Sequence, residues 1–95
     1  MTNKALKKAR KDLHAIISNY AMTAYLQANK KKDGTFYKKR RPYTLPAEAE
    51  TAKELLDITY KKDIAFEDEE RIKAFLLYYR VFKTDYLVNT DESLR

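Results

Sequence analysis

Between Lys4 and Asn29 the apolar positions Leu6, Ala9, Leu13, Ile16, Ile17, Tyr20 and Ala24 recur at steps of three and four residues. That spacing stacks them on one face of an α-helix. Lys4, Lys7, Lys8 and Lys11 fall roughly opposite. No Gly or Pro interrupts the stretch, so the pattern predicts one long helix over 4–29. The helical period then stops. Residues Lys30 to Tyr43 read KKKDGTFYKKRRPY, with Asp33-Gly34 as a turn signal and Gly34 able to adopt positive φ. A loop is expected here, or a short β-ribbon pairing Lys30–Lys32 with Phe36–Lys38. Pro42 and Pro46 keep the chain out of a helix until that point.

A second helix is predicted over 46–60. Thr44 is its expected N-cap, and Glu48 and Glu50 suit the positive end of its dipole. Leu45, Ala49, Ala52, Leu56 and Tyr60 form the expected buried stripe, with Leu55 at its edge. Ile64 and Phe66 are expected to turn into the core. A third helix, over 68–88, opens on the carboxylates Glu67, Asp68, Glu69 and Glu70, which the helix N-terminus favours. Ile72, Phe75, Leu76, Tyr79, Phe82 and Tyr86 share one face. Ala74, Leu77, Val81 and Val88 share a second face roughly opposite, with Tyr78 near its edge. A helix apolar on two sides is either central to a fold or part of a subunit interface. Two partner helices of this length cover both faces only partly, so Leu77, Tyr78, Val81 and Val88 are expected to meet a second copy in a homodimer or another obligate partner. Residues 89–95 read as a frayed tail. The chain is thus expected to be one mainly α domain over 1–95. It has three helices, the first long, and a basic connector over 30–43.

Composition narrows the chemistry. The 95 residues contain no Cys, one His and one Gly. Disulfides, thiolate metal sites, multi-histidine sites and glycine-rich phosphate loops are therefore excluded. His14 has neither a convergent partner nor a pocket in the pattern, so it reads as a surface residue rather than a general base. The acids Asp57, Asp63 and Glu67 show no metal-ligand spacing. No enzymatic activity, metal or cofactor is expected. No apolar run reaches the roughly 18–20 residues of a membrane span, and the basic N-terminus has no apolar stretch of a signal peptide. A cytoplasmic protein that does not engage membranes is expected.

Charge changes the picture more. Residues 1–43 hold 12 Lys/Arg and 2 Asp/Glu, a net of +10, whereas residues 44–95 hold 8 and 12, a net of −4. The formal +6 conceals this polarity, which bears on partners rather than on fold. In the connector, Lys30, Lys31, Lys32, Lys38, Lys39, Arg40 and Arg41 alternate with Phe36, Tyr37 and Tyr43. Cations beside flat rings grip phosphates and stack on unpaired bases. Together with Lys4, Lys7, Lys8 and Lys11, these residues form the expected surface for nucleic acid. Phe36 or Tyr37 is the expected base-stacking ring. A helix-turn-helix reading fails, because Glu67 to Glu70 would lead the third helix into a phosphate-lined groove. The other partner class is an acidic protein surface. There the same loop would dock a small inhibitory, immunity-type or regulatory module, since Tyr and Arg concentrate at binding hot spots.

Overall fold

The computed structural model describes residues 1–88, so the predicted frayed tail lies outside the described residues. It is a mainly α, three-helix domain: α1 spans Asn3–Asn29, α2 Ala47–Thr59 and α3 Phe66–Phe82, followed by a 3₁₀ turn over Thr84–Leu87. The Thr2 hydroxyl caps α1 by accepting the Ala5 N–H at 3.1 Å. The Met1 ammonium, which would otherwise oppose the α1 dipole, meets Glu69 of α3 at 3.2 Å.

Cross-links at three levels set the topology. Arg10 of α1 donates to the Thr59 carbonyl at 2.5 Å, which makes α2 antiparallel to α1. From Met1–Glu69 through Asp12–Arg80 to Tyr20–Tyr79, α3 runs alongside α1 in the same direction. Between the helices lie Ala9, Leu13, Ile16 and Tyr20 from α1, Ala49, Ala52, Leu55 and Ile58 from α2, and Ile72, Leu76 and Tyr79 from α3. Alanines at Ala9, Ala49 and Ala52 are fully buried and let the α1 and α2 backbones approach closely. At 27 residues, α1 is about 40 Å long. It runs along most of a molecule measuring 48 × 24 × 21 Å. Its last two turns extend past α2 and α3 and carry the connector.

Four details depart from the sequence pattern. The buried stripe of α2 is rotated: Leu55 is 1% exposed and Ile58 is buried, Leu56 is half-buried, and Tyr60 is 61% exposed beneath the Arg10 guanidinium. Pro46 rather than Thr44 stands at the α2 N-cap, with no side-chain hydrogen bond. The third helix starts at Phe66, which is 73% exposed instead of in the core, and it ends at Phe82. Lys83 leaves helical geometry, and Tyr86 swings back so that its ring packs on Tyr20 at 4.6 Å. The Asn19 amide holds this turn by donating to the Tyr86 and Val88 carbonyls at 2.9 and 3.0 Å. Long-range contacts thus terminate a helix that the apolar period alone would continue. Finally, the ribbon shrinks to a single Lys30–Phe36 bridge, and among the described residues there is no strand.

Candidate nucleic-acid interface

The outer face of α1 is built by default. Its apolar face is committed to α2 and α3, so Lys4, Lys7, Lys8 and Lys11 are left exposed. The only acid in α1, Asp12, turns inward and is 9% exposed. Arg80 grips one of its oxygens through Nη2 at 2.7 Å and Nε at 3.1 Å. Arg10 also turns away from the lysines, bonding Thr59 and lying 4.3 Å over the Tyr60 ring. The outer face of α1 consequently carries cations and neutral residues only.

The connector is fixed at one buried residue. Asn29, 2% exposed, donates its amide to the Arg41 carbonyl at 3.2 Å and accepts the Arg41 N–H at 2.6 Å. That double bond brings the chain back onto α1 at Arg41. Before it, Gly34 (φ 90°) forms the turn, and Asp33 accepts the Thr35 hydroxyl at 2.6 Å and the Thr35 N–H at 3.0 Å. These two bonds, the hydroxyl first, hold the Asp33 carboxyl below its ordinary range. The one acid of the connector is thereby used up in its own turn and neutralises none of the lysines around it.

Cations and rings are paired before any ligand arrives. The Arg41 guanidinium lies 3.9 Å over Tyr37, with the Lys31 amine 5.4 Å from the same ring. Arg40 lies 5.8 Å over Tyr25, and Tyr25 meets Tyr43 edge to face at 5.9 Å. Of the two rings expected to stack on bases, Tyr37 is therefore engaged by cations, whereas Phe36 is 51% exposed. Tyr43 is 45% exposed. Lys30, Lys31, Lys32, Lys38, Lys39, Arg40 and Arg41 are all exposed.

The two basic regions lie at opposite ends of α1 rather than in one compact patch. Lys7 and Tyr25 stand about five turns and 27 Å apart on the same side of the helix. Because Arg40 sits on Tyr25, cations stand at both ends of that side, with the neutral His14, Ser18 and Met22 between. Lys61 and Lys62, absent from the sequence expectation, come to the lysine end because antiparallel α2 terminates beside Arg10. Asn29, Tyr25 and these two lysines share one property: only the tertiary fold gives them a part in building the site.

Ion pairs form elsewhere. Among the described residues, the pairs are Met1–Glu69, Arg71 with Glu54 and Asp68, Lys73 with Glu69 and Glu70, and Arg80–Asp12. None of them includes a Lys or Arg of residues 1–43. Glu54, Asp68, Glu69 and Glu70 are thus taken up by Arg71, Lys73 and the Met1 ammonium, Arg80 takes Asp12 from the basic half, and the lysines and arginines of residues 1–43 stay open. Every buried side-chain polar atom among the described residues has a partner, so nothing inside the bundle calls for a ligand. Among the same residues no three His, Cys, Asp or Glu side chains converge to hold a metal. No helix of the described residues is long and apolar enough to cross a membrane.

Of the residues expected at a subunit interface, Leu77, Tyr78 and Val81 form a patch on the outer side of α3, whereas Val88 lies beyond the end of α3 on the turn that Asn19 holds against α1. Leu77 is 61% exposed, Tyr78 49% and Val81 59%. Phe82, expected in the core, joins them at 73%, its ring 5.5 Å from Tyr78 one turn back. No protein-family model, curated protein or solved structure matches the chain.

Proposed function

We propose that the protein is a small non-enzymatic nucleic-acid-binding accessory, contacting phosphates along the outer side of α1 and through the 30–43 connector. One observation carries this reading. The lysines and arginines of residues 1–43, Arg10 apart, are exposed and have no ion-pair partner among the described residues. The four lysines at one end of α1 and the seven cations of the connector at the other form two groups, about 27 Å apart, that one polyanion can bridge. Phosphate contacts position a protein without reading bases, so the binding is sequence-tolerant.

The test is a salt titration of binding to labelled duplex DNA, single-stranded DNA and RNA. With six or more phosphates contacted, affinity falls by roughly a thousand-fold or more between about 50 and 200 mM salt. Replacing Lys38, Lys39, Arg40 and Arg41 together with Ala weakens binding on all sequences and flattens the slope by about one phosphate per cation removed. An unchanged slope removes the connector from the interface. No binding at low salt removes the reading and leaves the acidic protein surface. In that case, one or two of Phe36, Tyr37, Tyr43 and Arg41 dominate an alanine scan against the captured partner.

We also propose that a second copy of the chain covers the outer side of α3. Leu77, Tyr78, Val81 and Phe82 together offer an apolar surface on the order of 400 Å², near the largest patch a monomer usually exposes. A standard interface buries about 800 Å² per partner, so such a patch makes its dry centre and the flanking polar residues its rim. Lys83 lies 5.9 Å from the Tyr78 ring, at the edge of the patch.

A further inference from the structure

Residues 40–44 do more than carry charge. Pro42 and Pro46 hold the returning chain extended, and it passes beside the last turns of α1 without closing onto them. The gap is a groove of about 440 Å³ lined by Ala24, Gln27, Ala28, Pro42, Tyr43 and Thr44. A second cavity of about 420 Å³ shares Ala24, Gln27 and Thr44 with it and extends the groove toward Leu45 and Tyr86. The groove exists because Ala24 and Ala28, one turn apart, have side chains too short to fill it.

Its lining has a definite chemistry. The half-exposed Tyr43 ring and the Pro42 ring form flat apolar walls, and Tyr25 holds Tyr43 edge-on at 5.9 Å. The Gln27 amide supplies both donor and acceptor, and the Thr44 hydroxyl supplies one of each. Arg40 and Arg41 directly precede the groove in the chain. Asn29 fixes the backbone of Arg41, and Tyr25 carries the Arg40 guanidinium. Flat walls, a few polar groups at one edge and the Arg40 guanidinium on the adjoining Tyr25 ring suit a planar heterocycle joined to an anion.

Building on the nucleic-acid reading, we propose that this groove seats one unpaired nucleobase of a single strand, against Tyr43 and over Ala24 and Ala28, with the adjoining phosphate on Arg40 and Arg41. A paired base cannot enter, so the site makes the protein prefer single strands over duplexes that offer the same number of phosphates.

Three labelled probes of about 12 nucleotides separate charge from base: oligothymidine, the same backbone without bases, and a duplex. The wild type should bind oligothymidine about tenfold or more tighter than the abasic strand, the scale of one stacked base. Ala28→Leu fills the groove and Tyr43→Ala removes its wall, and neither alters charge. Each should erase that preference, and Ala28→Leu should leave affinity for the abasic strand, affinity for the duplex and the salt slopes unchanged. Circular dichroism and a melting curve confirm the fold, and Tyr43→Ala, at a half-exposed residue, carries the test if Ala28→Leu does not fold. If the preference persists in the folded variants, or if all three affinities drop together, the base site is wrong and the electrostatic reading stands. If no probe binds the wild type, both are overturned.

Discussion

At the scale of single residues, the polar groups of the core do structural work that an apolar pattern does not record. Tyr20 and Tyr79 enter the core from α1 and α3, and one phenol donates to the other at 2.8 Å. Burial raises the Tyr79 hydroxyl above its ordinary value near 10, and the bond to Tyr20 adds to this. The folded protein therefore keeps a proton that the unfolded chain releases above about pH 10. Stability from this group is fully present below the ordinary tyrosine range and is lost as pH rises beyond it. Tyr79→Phe should lower stability at neutral pH by about 1 kcal/mol, through the lost hydrogen bond. Between about pH 9 and 11 it should show a shallower decline than the wild type. Urea midpoints across that range check both. An equally steep alkaline decline in the variant would assign the loss to another group.

At the scale of elements, α2 shows how a short amphipathic helix can be misread. Leu55 and Leu56 are adjacent, and the 13 residues give the period little length in which to choose between them. The choice falls to the neighbours: α2 packs between α1 and α3, and this places Leu55 and Ile58 inside. Leu55→Ala should cost about 2–5 kcal/mol as a cavity-forming change. Leu56→Ala, at a half-buried site, should cost clearly less, and the reverse order in urea unfolding would restore the stripe read from sequence. The same contrast explains what is legible. The long helix is legible because the apolar period of α1 repeats from Leu6 to Ala24, about five turns, and both chain-local sources of charge, the lysine stripe and the connector, are visible as composition. The end of α3 at Phe82 is not, because Asn19 and Tyr20 draw Tyr86 back from 67 and 66 residues away in the chain. The groove is not either, since Ala24 and Ala28 look like ordinary helix formers until residues 42–44 pass over them.

At the scale of the whole molecule, the fold turns a charge gradient along the chain into one across the surface. The acids of α2 and α3 pair with Arg71, Lys73 and the Met1 ammonium, and Arg80 takes up Asp12 of α1, while the outer side of α1 and the connector keep their positive field. Such a field steers a polyanion to α1 rather than to α3 and leaves the apolar side of α3 to another surface. If that surface is a second copy, each assembly carries two basic faces, and a polymer long enough to reach both gains avidity without new contacts. Leu77→Asp and Val81→Asp place a carboxylate in the middle of the patch, at side chains 61% and 59% exposed in the single chain. The helical circular dichroism should be unchanged. Sedimentation should shift from about twice the 11.2 kDa of one chain to that mass. The salt slope on a long strand should fall to about half, because one face remains where two had engaged. A wild type that already sediments as one chain would remove the dimer and leave the phosphate contacts of α1 untouched, since nothing in the stripe from Lys4 to Arg40 depends on α3 having a partner.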